Sequence, residues 1–194
     1  WTRLPRGVTV SHGVFDSEGY FFAGGEGSDL VSVAPNPDVA SPVVVEAGYY
    51  GSDDILGLTI YQNFIYLVVL ISSPDAQHPE LAVWRHSLQG SGTVGNQELV
   101  LNLTSSEITA SREITNINFD ANGNLFIGTN AENPILINPA GTSDIDYFYK
   151  SILPAYCKHF YWGSNNHIYM IVGDEDLGVT WELYRVDMGA LEGQ

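Results

Sequence analysis

Residues 120–124 carry side-chain oxygens at a spacing that could coordinate a hard cation. Asp120, Asn122 and Asn124 place a carboxylate or amide oxygen at every second position, and Ca²⁺ prefers ligands of this kind. An EF-hand loop, however, requires glycine at its sixth position, whereas Gly123 is the fourth residue of this segment. A turn that the Asp120 side chain stabilises is therefore the favoured prediction here, with a calcium site as the alternative.

A second group of oxygens lies in the acidic segment 174–176. Asp174 and Asp176 flank a glutamate, and three neighbouring carboxylates can bind a hard cation. Runs of like charge are more commonly hydrated loops. We therefore predict no cofactor, and calcium bound at 120–124 or 174–176 is the alternative.

A third segment suits binding more than catalysis, because it combines aromatic, acidic and glycine residues. Tyr49 and Tyr50 are adjacent, and Asp53 and Asp54 follow them after a glycine and a serine. Aromatic rings exposed in a loop can stack on sugars or pack against peptides. These four residues form the predicted binding surface.

The cysteine and histidine residues offer little for nucleophilic catalysis. Cys157 lies two residues before His159, but a Cys–His nucleophile also needs a group that orients the base, and none is identifiable. Cys157 is predicted to be a buried, inert thiol. His12 and His159 fall in predicted first strands and are the histidines considered as ligands, although no zinc-type spacing occurs. No catalytic residue is predicted.

These residues are positioned by a pattern that occurs four times: an apolar strand, a tight polar turn and a second apolar strand. Its turn residues are Gly19, Asn63, Gly123 and Asn166, roughly 43 to 60 positions apart. A repeat of this length, built only from strands and turns, is typical of β-propeller blades.

The repeats predict an all-β fold, a β-propeller with four blade-like repeats of four antiparallel strands. The blades cover residues 8–47, 55–103, 114–150 and 157–189 of one domain, 1–194, and the fourth lacks an obvious last strand. Residues 1–4 could supply that strand and close a four-bladed ring. The alternative is a larger propeller, which the absence of an initial methionine favours. The predicted strands are 8–16, 19–24, 29–34, 42–47, 55–61, 64–72, 81–87, 98–103, 114–119, 124–129, 134–138, 145–149, 159–162, 167–172 and 181–187.

The segment 117–127 resembles the repeat core of NHL, SMP-30/gluconolactonase-like and TolB-like propellers. In those families a hydrophobic strand is followed by Asp-x-x-Gly-x-Leu/Ile and a second strand, and residues 16–20 are similar. The second and fourth repeats depart from the motif, with Asn63 and Asn166 in place of glycine. The resemblance implies blades, in families that include metal-dependent lactonases and non-catalytic binding proteins. No lactonase metal ligand can be matched to a position in this chain.

The charge of the chain narrows the choice of partners. It carries 23 acidic and 7 basic residues, a formal net charge of −16. Such a chain repels nucleic acid and anionic membranes, so neither is predicted as a partner. No apolar run approaches the roughly 20 residues of a membrane helix, which argues against membrane insertion. Few lysines, together with many Gly, Ser, Thr, Asn and Tyr residues, favour an extracytoplasmic or secreted location.

The leading hypothesis is a non-enzymatic extracytoplasmic propeller that binds or assembles with a protein through its loop faces. It follows from a repeat architecture without a convergent catalytic group. One alternative is a metal-dependent, lactonase-like hydrolase, and the other is a carbohydrate-binding module. The expected partner is therefore a protein or a glycan, and self-assembly is a further possibility.

Overall fold

The computed structural model describes residues 8–35, 44–104, 113–148, 150–153, 156–163, 167–174 and 178–188. These residues form fifteen β-strands, and no helix occurs among them. This described part of the chain accordingly holds no helix that could cross a membrane. The all-β prediction is confirmed for it.

Contacts divide the chain into two compact units, Trp1–Thr109 and Ala110–Gln194. The first unit contains two four-stranded antiparallel sheets in which the strands follow one another in chain order. The first sheet consists of β1 (His12–Phe15), β2 (Phe21–Gly25), β3 (Ser28–Val33) and β4 (Val44–Glu46). The second sheet consists of β5 (Asp54–Tyr61), β6 (Phe64–Leu70), β7 (Leu81–Ser87) and β8 (Glu98–Asn102).

The second unit repeats this arrangement with one strand fewer among the described residues. The third sheet consists of β9 (Ile114–Phe119), β10 (Leu125–Thr129), β11 (Ile135–Asn138) and β12 (Asp146–Tyr147). The fourth sheet consists of β13 (Cys157–Trp162), β14 (His167–Asp174) and β15 (Val179–Asp187). All neighbouring strands pair antiparallel, as blade-like repeats require. The extent of the predicted single domain stays a prediction.

The predicted and observed limits of every strand except β1 agree within two residues. The strands β7 and β9 coincide with the predicted ranges 81–87 and 114–119. The largest differences occur in β1, which begins four residues later than predicted, and in β12, which has two residues where five were predicted. Residues 9–11, before β1, are exposed, so packing gives that end of the strand little reason to extend. Residues 1–4, the predicted closing strand, lie outside the described residues.

In the first three repeats, the turn between the first and second strands uses a residue with positive φ, as the repeat predicted. Gly19 and Gly123 have φ angles of 87° and 85°. In the second repeat, Gln62 and Asn63 have φ angles of 47° and 64°, which is the two-residue turn whose twist matches that of the flanking strands. Asn166, the corresponding residue of the fourth repeat, lies outside the described residues.

Both units are held together by cores that two sheets share. In the first unit, Phe22 and Leu30 of the first sheet pack with Ile55, Leu67 and Trp84 of the second. Burial of each such side chain contributes about 1.5–3 kcal/mol. Their neighbours along β6 and β7 are largely buried as well, so these two central strands are covered on both faces.

The core of the second unit is equally shared. Phe126 and Ile135 of the third sheet pack with Phe160, Ile168 and Met170 of the fourth. The ring of Phe126 lies 6.3 Å from that of Phe160. The blade-like sheets therefore pack face to face within each unit, and the loops between their strands are left to carry function.

Candidate functional site

The predicted binding surface lies in a loop of the first unit between β4 and β5, here called the Tyr49 loop (residues 47–53). Gly48 enters it with a φ angle of 80°. The carboxylate of Asp29, near the start of β3, accepts hydrogen bonds from the backbone amides of Gly48, Tyr49 (3.3 Å) and Tyr50 (2.9 Å). It also accepts one from the amide of Leu30 at 2.9 Å. The Asp29 side chain thus holds the backbone of residues 48–50, the first half of the loop.

Tyr50 is fully buried, so the prediction that it belongs to an exposed surface is wrong. Its hydroxyl lies 2.7 Å from Nε2 of His86, which is also fully buried. His86 Nδ1 lies 2.9 Å from the carbonyl oxygen of Gly95. Because a carbonyl only accepts, the proton is on Nδ1 and Nε2 accepts from Tyr50. The sequence missed this pair because its members lie 36 residues apart.

Burial sets the ionisation of both partners. It lowers the pKa of His86 below its usual value, although the carbonyl of Gly95 and the charges of Asp29 and Glu98 act in the opposite direction. It also raises the pKa of the Tyr50 phenol, with a smaller opposing effect from Gln97. Both groups are therefore neutral near pH 7, and their hydrogen bond is a structural feature of the core.

Tyr49 remains 39% exposed and packs on this buried pair. Its ring centroid lies 4.8 Å from that of His86 and 6.1 Å from that of Tyr50. An aromatic ring that is held by the backbone on one side and by a second ring beneath it loses little entropy on binding. Tyr49 is thus the member of the predicted surface that is both exposed and rigid.

The two aspartates of the predicted surface are partly buried and hold the end of the same loop. Asp53 Oδ1 accepts hydrogen bonds from the amide of Ser72 (2.9 Å) and from its hydroxyl (3.0 Å). Asp54 Oδ1 accepts one from the amide of Gly27 at 2.8 Å. In both residues these hydrogen bonds involve Oδ1 and not Oδ2. Both therefore support the loop and add negative charge beside Tyr49.

The segment 120–124 forms the turn that its sequence favoured. Asp120 Oδ1 accepts hydrogen bonds from the backbone amides of Asn122 (2.9 Å) and Asn124 (2.8 Å). Asp120 Oδ2 accepts a third from the side-chain amide of Asn124, whose own oxygen accepts from the amide of Ala140. The side-chain oxygens of Asp120 and Asn124 are thus engaged within the protein.

The first repeat contains the same turn. Asp16 Oδ1 accepts hydrogen bonds from the amides of Glu18 (2.9 Å) and Tyr20 (2.8 Å). The Asp-x-x-Gly-x motif therefore stabilises a turn in both repeats. The aspartate accepts hydrogen bonds from the backbone amides of the turn, and the glycine adopts the positive φ that the turn requires. This geometry explains why the motif indicates blades without indicating an activity.

The remaining candidate residues do not come together among the described residues. Within that part of the chain, no three His, Cys, Asp or Glu side chains lie close enough to hold a metal ion. Asp176 lies outside the described residues, as does the side chain of Asp174. His12 lies in β1 of the first unit and His159 in β13 of the second. The calcium alternative stays a prediction.

Cys157 fits the inert thiol that the sequence predicted. It is fully buried at the start of β13, and burial raises its pKa to about 12. A thiol with this pKa is protonated at physiological pH, whereas the nucleophile in cysteine catalysis is the thiolate.

The described residues of the first unit form a cleft and a groove on its surface. A cleft of about 190 Å³ adjoins the Tyr49 loop at Ala47 and is lined mainly by Phe22, Leu30 and Val94. An open groove of about 480 Å³ runs along Pro74, Pro79 and Leu99, close to the exposed strand β8. The cleft is smaller than the pockets of about 300–1,000 Å³ that bind drug-sized ligands.

Comparison with known proteins identifies the fold. No family model matches the chain, and no curated protein matches it. Among solved structures, it resembles one of a nidogen/laminin complex (TM-score 0.59, 12% identity, 87% of this chain and 57% of that one). It also resembles the extracellular domain of a protein assigned to a one-component system from B. thetaiotaomicron (TM-score 0.56, 11% identity, 94% of this chain and 22% of that one). A third likeness is to a protein assigned as a gluconolactonase (TM-score 0.56, 13% identity, 90% of this chain and 57% of that one).

These likenesses show the fold alone, because the identities are low. The gluconolactonase-like protein and its relatives are β-propellers, and the four antiparallel sheets of this chain are consistent with that fold. The chain spans less than two thirds of the length of each of the three structures. The blade number and the closure of a ring stay predictions.

Proposed function

We propose that this chain is a non-enzymatic, extracytoplasmic propeller module that binds a protein partner through the Tyr49 loop. The observation that carries the proposal is the half-exposed ring of Tyr49, held on the buried His86–Tyr50 pair and by the Asp29 carboxylate. Rigid tyrosines with an exposed ring are frequent anchors of protein interfaces, because they contribute a large contact area at low entropic cost.

The charge around the loop favours a basic partner. Asp53 and Asp54 lie at one end of the loop, and the whole chain carries a net charge of −16. An arginine or lysine of the partner could pack over the ring of Tyr49 while it approaches these carboxylates. Opposite charges would also accelerate the encounter of the two proteins.

Two of the similar structures support this class of function. One is part of a nidogen/laminin complex, and another is described as an extracellular domain. Protein binding and an extracytoplasmic location are therefore compatible with the shared fold. The hydrolase alternative is supported by the likeness to the gluconolactonase-like structure, which concerns the fold and not a site.

A pull-down from the extracytoplasmic fraction of the source material tests the proposal. We expect the wild-type chain to capture a protein that Tyr49→Ala no longer captures. Phe15→Ala is the matched control, because Phe15 is 68% exposed in the same unit and also packs on another ring, that of Phe21 at 4.9 Å. Equal capture by all three proteins, or capture of nothing, would contradict the proposal.

A glycan is the second candidate partner, since an exposed tyrosine beside carboxylates can also stack on a sugar ring. The same three proteins applied to a glycan array distinguish the two candidates. Binding on the array that is lost in Tyr49→Ala, without capture of any protein, would favour a carbohydrate-binding module.

A further inference from the structure

The end of β8 carries a sequence that the machinery of protein secretion recognises. Asn102, Leu103 and Thr104 match the acceptor triplet for asparagine-linked glycans, Asn-x-Ser/Thr with x other than proline. No other asparagine of the chain has serine or threonine two positions after it. Because a short triplet also occurs by chance, the structure around Asn102 is what distinguishes an acceptor from a coincidence.

The acceptor side chain lies at the surface of the first unit. Asn102 is the last residue of β8 and pairs with Ala82 of β7. Asn102 and Thr104 are both exposed, whereas Leu103 between them is fully buried. An N-linked glycan is bulky and strongly hydrated, so its attachment requires an exposed position of this kind.

Hydrogen bonds fix the conformation of the triplet. Asn102 Oδ1 accepts one from the backbone amide of Thr104 at 2.9 Å. Thr104 Oγ1 accepts one from the amide of Leu81 at 3.0 Å, and the amide of Leu103 donates one to the carbonyl oxygen of Leu81 at 2.9 Å. The bond from the Asn102 side chain uses Oδ1, while a glycan is attached to Nδ2. The folded conformation is therefore compatible with a sugar on Asn102.

The groove of about 480 Å³ described above lies beside the same side chain, since Asn102 and Thr104 form part of its lining. Three apolar residues also line it: Pro74, Pro79 and Leu99. Two acidic residues complete the lining: Asp75 and Glu80. A sugar ring has C–H groups on its faces and hydroxyl groups at its edge, so apolar surface with a few polar groups suits it, and the volume is sufficient for one ring.

We propose that Asn102 carries an N-linked glycan whose first N-acetylglucosamine lies in this groove. The inference rests on the extracytoplasmic location proposed above, because the transfer takes place in the eukaryotic secretory pathway. A bond forms between Nδ2 of Asn102 and C1 of the sugar, and the bond between C1 and a lipid diphosphate breaks. The lipid diphosphate leaves with the electron pair of that bond, and a base of the transferase takes the proton that Nδ2 loses.

The covalent attachment favours the glycan over a free ligand as the occupant of the groove. A sugar tethered to a residue of the lining is held at a high effective concentration, so weak contacts are sufficient to keep it there. Leu99 is 47% exposed, and contact with the sugar would remove part of this apolar surface from water.

The mass of the secreted protein tests the acceptor. Wild type secreted from eukaryotic cells with an added leader should exceed the chain mass of 21.2 kDa by one glycan, which peptide:N-glycosidase removes to leave aspartate at position 102. Asn102→Gln should lose the added mass. Thr104→Ser should retain it, as should Asn96→Gln, a matched control at an exposed asparagine outside the triplet. An unmodified wild type, or added mass that persists in Asn102→Gln, would overturn the proposal.

The same measurement on protein isolated from the source material separates this inference from the proposed function. Added mass in both preparations would support the acceptor and the location. Added mass only in the protein from the secreting cells would support Asn102 as an acceptor and contradict the extracytoplasmic location. Neither measurement involves a partner of the Tyr49 loop.

Melting temperatures test the place of the first sugar. An endoglycosidase can trim the glycan to a single N-acetylglucosamine, and the trimmed wild type should melt about 2 °C above Asn102→Gln, a modest stabilisation for a chain of this size. This difference should disappear when Leu99→Ala is added to both proteins. It should persist with Val100→Ala, because Val100 is 37% exposed on the same strand but does not line the groove. The absence of a difference, or an equal one with Leu99→Ala, would overturn the placement in the groove.

Discussion

The hydroxyl of Tyr50 donates a hydrogen bond of 2.7 Å to Nε2 of His86 in the core of the first unit. This bond joins the loop that precedes β5 to the third strand of the same sheet. It also fixes the surface on which Tyr49 rests, so the geometry of the exposed ring depends on a pair that no partner touches.

Replacement of Tyr50 by phenylalanine should lower the free energy of unfolding by about 1–2 kcal/mol, because Nε2 of His86 then becomes a buried acceptor without this donor. Urea unfolding of Tyr50→Phe and the wild type measures the difference. Tyr49→Phe is the control and should change stability by less than about 0.5 kcal/mol, since Tyr49 is partly exposed. Equal stability of Tyr50→Phe and the wild type would show that the bond contributes nothing net.

Stability should decrease as the pH falls below about 6.5, the usual pKa of histidine. The pKa of His86 is lower than this in the folded state because of burial. Between the two pKa values the unfolded chain binds more protons, so the free energy of unfolding falls by up to about 1.4 kcal/mol per pH unit from this residue. Unfolding curves from pH 7.5 to pH 5 should show a smaller slope for His86→Gln than for the wild type. Equal slopes for the two proteins would contradict this prediction.

Removal of the Asp29 carboxylate should loosen the Tyr49 loop. Asp29→Ala leaves the amides of Gly48, Tyr49 and Tyr50 without their acceptor, and we expect a loss of about 2 kcal/mol, typical of bonds to a charged group. Hydrogen exchange at these three amides should accelerate more than exchange at the amide of Ser72, which Asp53 holds. Unchanged exchange at residues 48–50 would show that the loop is held by other contacts.

Calcium should leave the melting temperature unchanged, because the Asp120 oxygens already accept three hydrogen bonds. Thermal unfolding with excess calcium and then with EDTA is the measurement. An ion at about 100 times its dissociation constant would add roughly 2.7 kcal/mol, which corresponds to several degrees for a chain of this size. A shift that EDTA reverses would contradict the expectation, and its absence in Asp120→Ala would place the ion at this turn.

The sequence predicted the strands well because each is a short apolar run bounded by turn residues. In β7, for example, the four apolar residues Leu81–Trp84 are all buried, and Arg85 and Ser87 after them are partly exposed. The turn at Asp120 was equally predictable, since its motif contains both the capping carboxylate and the glycine with positive φ. Local chemistry was sufficient in both cases.

The candidate site was predicted only in part, because its parts are distant in the sequence. The composition of residues 47–54 indicated a loop with two tyrosines, but nothing local distinguishes the buried Tyr50 from the exposed Tyr49. The difference arises from Asp29 and His86, which come from two different sheets. Pairings of this kind depend on the tertiary arrangement, which short-range patterns do not contain.

Eight acidic residues in the described part of the chain fall into two groups by the kind of hydrogen bond that they accept, and the groups differ in their tolerance of substitution. In the first group, an aspartate oxygen accepts a hydrogen bond from a backbone amide and so stabilises a turn or loop. Its members are Asp16, Asp29, Asp53, Asp54, Asp75 and Asp120. Glu98 and Glu182 instead accept from the side chains of Arg85 and Tyr184. The short aspartate side chain places its oxygens beside the backbone amides of a turn. The two glutamates bind side chains and stabilise no turn. To reduce the negative charge of the chain, Glu98 and Glu182 should therefore be substituted first. Substitution of an aspartate of the first group would remove hydrogen bonds that stabilise a turn or loop.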